Sequence, residues 1–208
     1  MPELTASLAA LVADSPQVDE AYDTSTPSFA AFVDRVEAEF GSGAIGTPEQ
    51  VDELLRTEAP DAIGVRVAVK VAQSREVIRA LNEPVVVTLL NPVYKETGRM
   101  LPRDEHPHGE DSIRYKAAAL DRISELNPNV QTRFVVIDDG CPDGSGRQAA
   151  ELLAGLPGWE DRHEVLFLED AREAGDPDVP PGLTAKNGER RSVKGGAVLY
   201  GMRRACLL

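Results

Sequence analysis

Residues 1–82 carry apolar side chains at the spacing of helix faces. In Leu4–Leu11 and again in Phe29–Phe40, apolar residues recur every three or four positions, as on one side of a helix. Thr47-Pro48 predicts a third helix, because threonine caps helix N-termini and proline is favoured at the first helical position. Four valines alternate after Gly64, but their neighbours up to Leu81 favour a helix there. We predict a helical N-terminal region, residues 1–83.

From Pro84 onward, short apolar runs alternate with amphipathic segments. The apolar runs predict strands near 85–90, 133–138 and 164–168, and the segments between them predict helices near 112–126 and 145–156. This order is typical of a parallel sheet with helices on its faces. We therefore predict an α/β fold for residues 84–208, a Rossmann-like half-domain with a parallel sheet. Its first strand is predicted to be buried on both faces, because its apolar run is continuous.

The remaining segments of this half lack apolar periodicity. Residues 95–111 form a long connection, and residues 169–191 are rich in Pro, Gly and charge, which predicts a mobile surface loop. A last helix is predicted from about Ser192 to the end of the chain.

The composition narrows the function classes. The chain has 208 residues, of which 42% are hydrophobic and 27% charged, and a net charge of −13. This charge argues against a general nucleic-acid binder, which needs a basic face. No apolar run reaches the roughly 18 residues of a membrane span, the N-terminus lacks the basic segment of a secretory signal, and only two cysteines are present. We predict a cytoplasmic protein without a membrane span.

The charge is unevenly distributed along the chain. Residues 1–80 contain 14 acids and 6 bases, whereas residues 183–208 contain six bases and one acid. A basic end on an acidic chain suggests that an anion is bound there. Solvated surface charge explains the same pattern, and the charge count alone does not separate the two interpretations.

Polar groups follow the predicted strands, where parallel sheets bind their ligands. The second strand ends in Asp138-Asp139-Gly140, and Lys194-Gly195 lies at the predicted start of the last helix. Paired carboxylates can accept hydrogen bonds from a base, from ribose or from the water shell of a metal, and a lysine at a helix N-terminus suits a phosphate. Taken singly, the acid pair is equally consistent with a helix cap, and the Lys-Gly segment with an ordinary helix start.

Three segments in this order resemble the nucleotide-sugar-binding half of GT-A glycosyltransferases, in particular those of family 2. They are Pro92-Val-Tyr94-Lys-Glu96, the stretch from Asp138 to Ser145 that reads DDGCPDGS, and Lys194-Gly195-Gly-Ala197. The resemblance covers residues 85–204. The middle segment is fairly specific, and the outer two are weak signals singly.

The resemblance implies a role for each matching residue. Pro92, Tyr94 and Glu96 would line the nucleoside pocket, with the Tyr94 ring near the base and Glu96 near the ribose. One carboxylate of Asp138 and Asp139 would accept from the base, and the other would orient the loop that contains Gly140. Lys194 and Gly195 would lie near the base or the diphosphate of a UDP- or GDP-sugar, and a hydroxyl compound would be the acceptor.

The chain departs from the family pattern in several places. Lys95 replaces the usual asparagine, and Cys141-Pro142 replaces the usual Ser-Thr, which bears on base preference. The resemblance implies a divalent metal, Mg²⁺ or Mn²⁺, held by an Asp-x-Asp segment after the last helix. We predict that the chain is truncated before that segment, so that the metal ligands are not in this chain.

Other metal-binding or reactive groups are predicted to be unimportant for the chemistry. Asp176-Pro-Asp178 has the letters of the metal segment but precedes Lys194 and lies in a predicted loop. The histidines of Asp104–His108 are interpreted as part of a solvated loop, and Cys141 as a passive small residue.

These observations leave two functions open. The first is a glycosyltransferase of which this chain carries the donor-binding half, and the alternative is a non-catalytic nucleotide-binding or scaffolding module. A phosphohydrolase that uses Asp138 as its nucleophile is disfavoured, because position 140 is glycine where that chemistry needs a second aspartate. We expect no catalytic residue in this chain and no turnover by it. The open edge left where a fourth strand should lie also predicts self-association or marginal stability.

Overall fold

A computed structural model describes residues 5–16, 27–180 and 194–205 of the chain. It divides into two compact units, residues 1–81 and 82–208. Leu4, Ser192 and the part of the predicted loop after residue 180 lie outside the described residues.

Unit 1 is helical throughout its described part. Its helices are α1 (Ala6–Ala13), α2 (Pro27–Gly41), α3 (Pro48–Glu58) and α4 (Ile63–Arg79). The predicted start of α3 is confirmed by a reciprocal cap, in which Thr47 Oγ1 accepts from the Gln50 amide and Gln50 Oε1 accepts from the Thr47 amide. The helix predicted over the alternating valines is confirmed as α4.

An apolar core holds unit 1 together, and ion pairs surround it. The buried side chains come from all four of these helices and include Leu8, Leu11, Phe29, Val36, Leu55, Val65 and Val69. At the surface, Asp52 lies beside Arg56, Arg66 and Lys70. We find no convergence of polar side chains into a buried site among the described residues of this unit.

Unit 2 alternates strands and helices. Its elements are β1 (Val85–Val93), a 3₁₀-helix (Thr97–Met100), α5 (Ser112–Leu126), β2 (Val130–Asp138), α6 (Ser145–Ala154), β3 (His163–Phe167), α7 (Leu168–Glu173) and α8 (Lys194–Ala205). The prediction of a structureless loop after residue 168 is wrong at its start, where α7 continues directly from β3. Six residues are too few for a recognisable helical pattern.

The described strands form one parallel sheet in the order β1-β2-β3. Val93 is opposite Asp138, and Asp138 is opposite Phe167, so the three strands end at the same edge. The prediction of an α/β fold with an open, parallel sheet is confirmed.

The two faces of the sheet are covered by different helices. α5 and α6 cover one face, and the core between them and the sheet includes Ile113, Leu120, Phe134, Val136, Leu153 and Trp159. α8 covers the other face, where Ala197 and Tyr200 pack with Val135, Ile137 and Leu166. Even- and odd-numbered residues of β2 therefore face opposite sides of the sheet, as the pleat of a strand requires.

Helix α8 runs antiparallel to the strands. Near its middle, a methyl group added at Gly201 would lie 2.8 Å from Cδ1 of Ile137, the residue before Asp138. At its C-terminal end, Met202 and Ala205 line a cleft with residues from the first half of β1. Lys194, seven residues before Gly201, therefore stands about 10 Å farther toward the edge where the strands end.

One expectation about β1 is wrong. Its side chains are not buried on both faces, because Val86 is 57% exposed and Val87 is 36% exposed. β1 is an edge strand of the described sheet, and a continuous apolar run does not show on which side its neighbours lie.

Among the described residues, no helix is long and apolar enough to cross a bilayer.

Candidate functional site

The predicted site segments follow the strands at the carboxyl edge of the sheet. The segment after β1 contains Tyr94, Lys95 and Glu96, and the turn after β2 runs from Asp139 to Gly144. Because Val93 and Asp138 are paired in register, the two segments leave the sheet side by side.

Asp138 organises the turn that follows it. Its side chain belongs to a buried residue, with 5% of the residue exposed, and each of its oxygens accepts a backbone hydrogen bond. Oδ1 accepts from the Cys141 amide at 2.7 Å, and Oδ2 accepts from the Gly146 amide at 2.7 Å. Both oxygens thus accept from fixed backbone donors, so the Asp138 carboxylate holds the conformation of the loop that follows it.

Glycine at position 146 makes this arrangement sterically feasible. A Cβ atom at position 146 would lie 2.6 Å from the Asp138 Cβ and closer still to Oδ2. Only glycine lets the backbone approach the carboxylate so closely. This contact also places the first turn of α6 against the end of β2.

Asp139 and Gly140 continue from the strand into the turn. The Asp139 amide donates to Val93 O at 3.3 Å and extends the β1–β2 ladder by one bond. Both residues are half-buried, and Gly140 has φ +70°, a conformation that favours glycine. Asp139 is therefore held at the sheet edge by its backbone.

Side chains of the second turn bind the backbone of the first segment. The Lys95 amide donates to Cys141 Sγ at 2.9 Å, and the Glu96 amide donates to Ser145 Oγ at 2.8 Å. Cys141, which the sequence suggested to be a passive residue, thus connects two loops. Residue spacing in the sequence could not show which side chains accept hydrogen bonds from these two amides.

Asp143 is the hub of this connection. It accepts from the Ser145 amide at 3.0 Å, from Ser145 Oγ at 2.6 Å, from Thr97 Oγ1 at 3.2 Å and from the Cys141 thiol. Partial burial raises the pKa of Asp143, but the hydrogen bonds from Cys141, Ser145 and Thr97 outweigh it and hold this pKa below its usual value. The Asp-x-Ser spacing was the available sequence signal, since it is typical of a side chain that closes its own turn.

Tyr94 and Lys95 form the exposed rim beside this network. The Tyr94 residue is 40% exposed, and Lys95 Nζ lies 5.6 Å from the centre of its ring. Lys95 has φ +56°, a left-handed conformation that asparagine tolerates better than lysine. The substitution noted in the sequence therefore places a lysine in a backbone conformation that disfavours it.

Glu96 is already engaged by a neighbouring cation. Its Oε2 accepts from Arg99 Nη1 at 2.9 Å, and Arg99 Nη2 also donates to Glu110 at 2.7 Å. The hydrogen bond to Glu110 is the main cause of a raised pKa of Arg99. Any ribose contact of Glu96 must share its carboxylate with this pair.

Pro92, Lys194 and Gly195 complete the predicted set. Pro92 occupies β1 without costing a bond to β2, because the amide positions that face β2 are the odd-numbered ones, from Val85 to Val93. Lys194 and Gly195 are exposed at the start of α8. Within the described residues, Lys194 forms no hydrogen bond or ion pair. The direction of α8 places it toward the edge where both loops lie.

The other carboxylate and histidine clusters serve the structure. Asp176 accepts from the Tyr200 hydroxyl at 2.9 Å and from the Asp178 amide at 2.9 Å, which anchors α8. Burial is the main cause of the rise in the pKa of Tyr200 to about 12. His106 Nδ1 accepts from the His108 amide. The described residues contain no group of three or more His, Cys, Asp or Glu placed to hold a metal ion.

Comparison of the chain with protein-family models, curated proteins and solved structures found no match. The assignment of a function therefore depends on the residues and their geometry.

Proposed function

We propose that unit 2 is the donor-nucleotide-binding half of a GT-A-like glycosyltransferase that uses a UDP- or GDP-sugar. The observation that supports the proposal is that the two acids at the end of β2 lie in different environments. Asp138 is buried and accepts from two backbone amides of the turn, and Asp139 follows it, half-buried, at the edge of the sheet where ligands bind in parallel sheets. The resemblance requires one acid to orient the loop and the other to accept from the base.

The rim around Asp139 suits a nucleoside. The partly exposed Tyr94 ring offers a flat apolar surface of the kind on which bases stack. The network of Cys141, Asp143 and Ser145 holds the Tyr94–Glu96 segment against the second turn, so that the two loops are fixed relative to each other. Loops that are already fixed lose less entropy when a ligand binds.

The diphosphate side of the proposal uses Lys194. Its ammonium group stands at the N-terminal end of a helix of 12 residues, where the partial positive charge of the helix adds to that of the side chain. Lys194 lies at the carboxyl edge of the sheet, as do the two loops, so a nucleotide with its base near Asp139 would direct its phosphates toward α8.

The described residues do not fit the divalent ion that the resemblance implies, because they contain no suitable group of ligands. We assign no step to a metal and no catalytic residue to this chain. The reaction of the proposed enzyme is attack of an acceptor hydroxyl on the anomeric carbon of the sugar, with the nucleoside diphosphate as leaving group. The contribution of this chain is to bind the nucleotide part.

Calorimetry with UDP, GDP and ADP tests the nucleotide site. Wild type is expected to bind UDP or GDP, and Asp139→Asn to weaken that binding by about 1–3 kcal/mol, because a charged hydrogen-bond acceptor is lost. Asp170→Asn, the same change at an exposed residue of α7, is the matched control. Unchanged affinity of Asp139→Asn would contradict the assignment of the base.

The role of Lys194 is tested with ligands that differ in charge. Lys194→Ala is expected to weaken UDP more than uridine, because only UDP carries phosphates. Lys70→Ala in unit 1 is the control. Equal losses for both ligands would remove Lys194 from the diphosphate side.

The lack of a metal-ligand group in the described residues keeps a second function in view, a non-catalytic nucleotide-binding or scaffolding module. Incubation of the chain with UDP- and GDP-sugars and Mn²⁺, followed by measurement of released nucleotide, addresses both functions. We expect binding without turnover. Turnover would contradict the expectation that this chain contributes nucleotide binding alone.

A further inference from the structure

Glu96, which the proposed function places near the ribose, has a backbone that is fixed on both sides. Its amide donates to Ser145 Oγ at 2.8 Å. Its carbonyl oxygen accepts from the Arg99 amide at 3.0 Å and from the Met100 amide at 3.1 Å, and Met100 is buried. The turn after β2 and the 3₁₀-helix therefore determine together where the Glu96 side chain begins.

The carboxylate of Glu96 is held through one of its two oxygens. Oε2 accepts from Arg99 Nη1 at 2.9 Å, whereas no described residue donates a hydrogen bond to Oε1. An ionised carboxylate offers acceptor sites on both oxygens, so Oε1 is available to the hydroxyl groups of a ligand. The Glu96 side chain is 29% exposed, and a ligand can therefore reach it.

Arg99 is itself fixed by a second carboxylate. Its Nη2 donates to Glu110 Oε2 at 2.7 Å, and the Glu110 amide donates to Arg99 O at 3.1 Å. A guanidinium group is planar and presents its N–H donors in fixed directions. Because Glu110 binds one Nη group, the other is directed at Glu96 in a defined orientation. The position of the Glu96 carboxylate is thus linked to that of Glu110.

Glu110 lies in a part of the chain that the backbone holds in place. The amide of the next residue, Asp111, donates to Leu101 O at 2.9 Å. On the other side, a Cβ atom at Gly109 would overlap with Pro102 O, so the chain returns to residue 102 more closely than any residue but glycine allows. These backbone contacts keep Glu110 opposite Arg99 independently of the two side chains.

We propose that Arg99 is a positioning residue for ribose recognition, in which Glu110 anchors Arg99 and Arg99 holds the Glu96 carboxylate with Oε1 free for the ribose hydroxyl groups. The inference rests on the proposed function, because it takes the location of the ribose from it. It adds the class of ligand. A carboxylate that is oriented before binding selects a ribonucleotide over a form that lacks the 2′- and 3′-hydroxyl groups.

Calorimetry with a nucleotide and its 2′,3′-dideoxy form separates this role from a structural one. Wild type is expected to bind UDP or GDP about tenfold more tightly than the dideoxy form. Arg99→Gln should weaken the ribonucleotide about fivefold and the dideoxy form less than about twofold, because only the ribonucleotide uses the Glu96 carboxylate. Arg114→Gln, which removes a similar ion pair with Asp111, is the matched control and should change neither affinity.

A double-mutant cycle tests whether Arg99 acts through Glu96. In the Glu96→Gln background, Arg99→Gln should cause no further loss of ribonucleotide affinity, because the carboxylate that Arg99 positions is already gone. Glu110→Gln is the second variant if Arg99→Gln fails to fold. It keeps the Arg99–Glu96 pair but weakens its anchor, so it should lower ribonucleotide affinity by a smaller factor and leave the dideoxy form unchanged.

The outcomes distinguish this inference from the proposed function. Equal losses for the two ligands in Arg99→Gln, or the same loss with and without Glu96, would overturn the role of Arg99 while nucleotide binding by wild type still stands. Equal affinity of wild type for the two ligands would overturn it as well. A wild type that binds no nucleotide would overturn the proposed function and this inference with it.

Discussion

The two units use their carboxylates in different ways. In unit 1, Asp52 lies among Arg56, Arg66 and Lys70, whose side chains are 37–59% exposed. In unit 2, Asp138 is buried and accepts from two backbone amides, and Asp143 gathers side-chain donors from two loops. The Asp52 side chain itself is 14% exposed, but its cationic partners are solvated, so ion pairs of this first kind contribute little to stability. Carboxylates of the second kind determine the conformation of a loop.

The carboxylates of unit 1 therefore belong to an ordinary protein surface, and those of unit 2 to a candidate binding site. The charges of unit 1 surround an apolar core and could be exchanged with little effect on its shape. The polar groups of unit 2 converge at the edge where the strands end, which is where parallel sheets bind ligands. The contrast leads to the proposal that unit 2 carries the chemistry of the chain.

The same substitution at one carboxylate of each kind tests this difference and has the largest expected effect. Asp138→Asn should lower the free energy of unfolding by about 2–3 kcal/mol, because an amide group then faces a backbone N–H and leaves it unpaired. Asp52→Asn should cost less than about 1 kcal/mol. Urea unfolding followed by circular dichroism compares both variants, and fluorescence of Trp159, the single tryptophan, reports on unit 2. Equal losses would contradict the distinction.

A smaller effect is expected from a methyl group beside Asp138. Gly146→Ala should cost about 1–3 kcal/mol, because the added Cβ would lie 2.6 Å from that of Asp138. Gly195→Ala is the matched control, since an added Cβ there meets no atom within 4 Å, and its stability should stay the same or rise. Thermal unfolding measures both. A harmless Gly146→Ala would show that the turn does not depend on this close approach.

A smaller change in stability is expected from relieving the backbone strain at Lys95. Lys95→Asn should stabilise unit 2 by about 0.5–1 kcal/mol, because asparagine tolerates positive φ better than lysine. Lys116→Asn, at a residue inside α5 where asparagine is a poorer helix former, should not stabilise. Urea unfolding measured by Trp159 fluorescence distinguishes them. A loss of stability in Lys95→Asn would mean that the lysine side chain makes a contact that outweighs the backbone strain.

The smallest effect is a pH dependence. Because the pKa of Asp143 is lowered in the folded chain, its contribution to stability is present above the usual value of 3.8 and is lost as pH falls through the lower folded value. The stability difference between wild type and Asp143→Asn should therefore shrink below pH 3.8. A difference that does not change with pH would argue against the lowered pKa.

Much of the fold follows from local patterns. The helix predicted over residues 112–126 coincides with α5, because its apolar stripe is regular and Asn127-Pro128 ends it. The strand β1 was recognised as a strand, but its burial was not, because burial depends on which strands lie beside it. Helix α7 escaped recognition because it is short and polar.

The site, too, could be predicted only where it depends on local sequence. The meeting of the two loops follows from the parallel sheet and was predicted. Which acid orients the turn was left open, since Asp138 and Asp139 differ only in the side of the strand they face. The contact of Asp143 with Ser145 has a signature in the Asp-x-Ser spacing, but the contacts of Cys141 with Lys95 and of Asp143 with Thr97 depend on the path of both loops and have none.

The central claim, that a nucleotide binds at the carboxyl edge of the sheet, is tested most directly by mapping amide chemical shifts as UDP or GDP is added. The account predicts saturable changes at Tyr94, at Asp139 and Gly140, and at Gly195, with none in unit 1. Changes confined to unit 1, changes at the opposite end of the strands near Arg133 and Arg162, or no change at saturating nucleotide would contradict it.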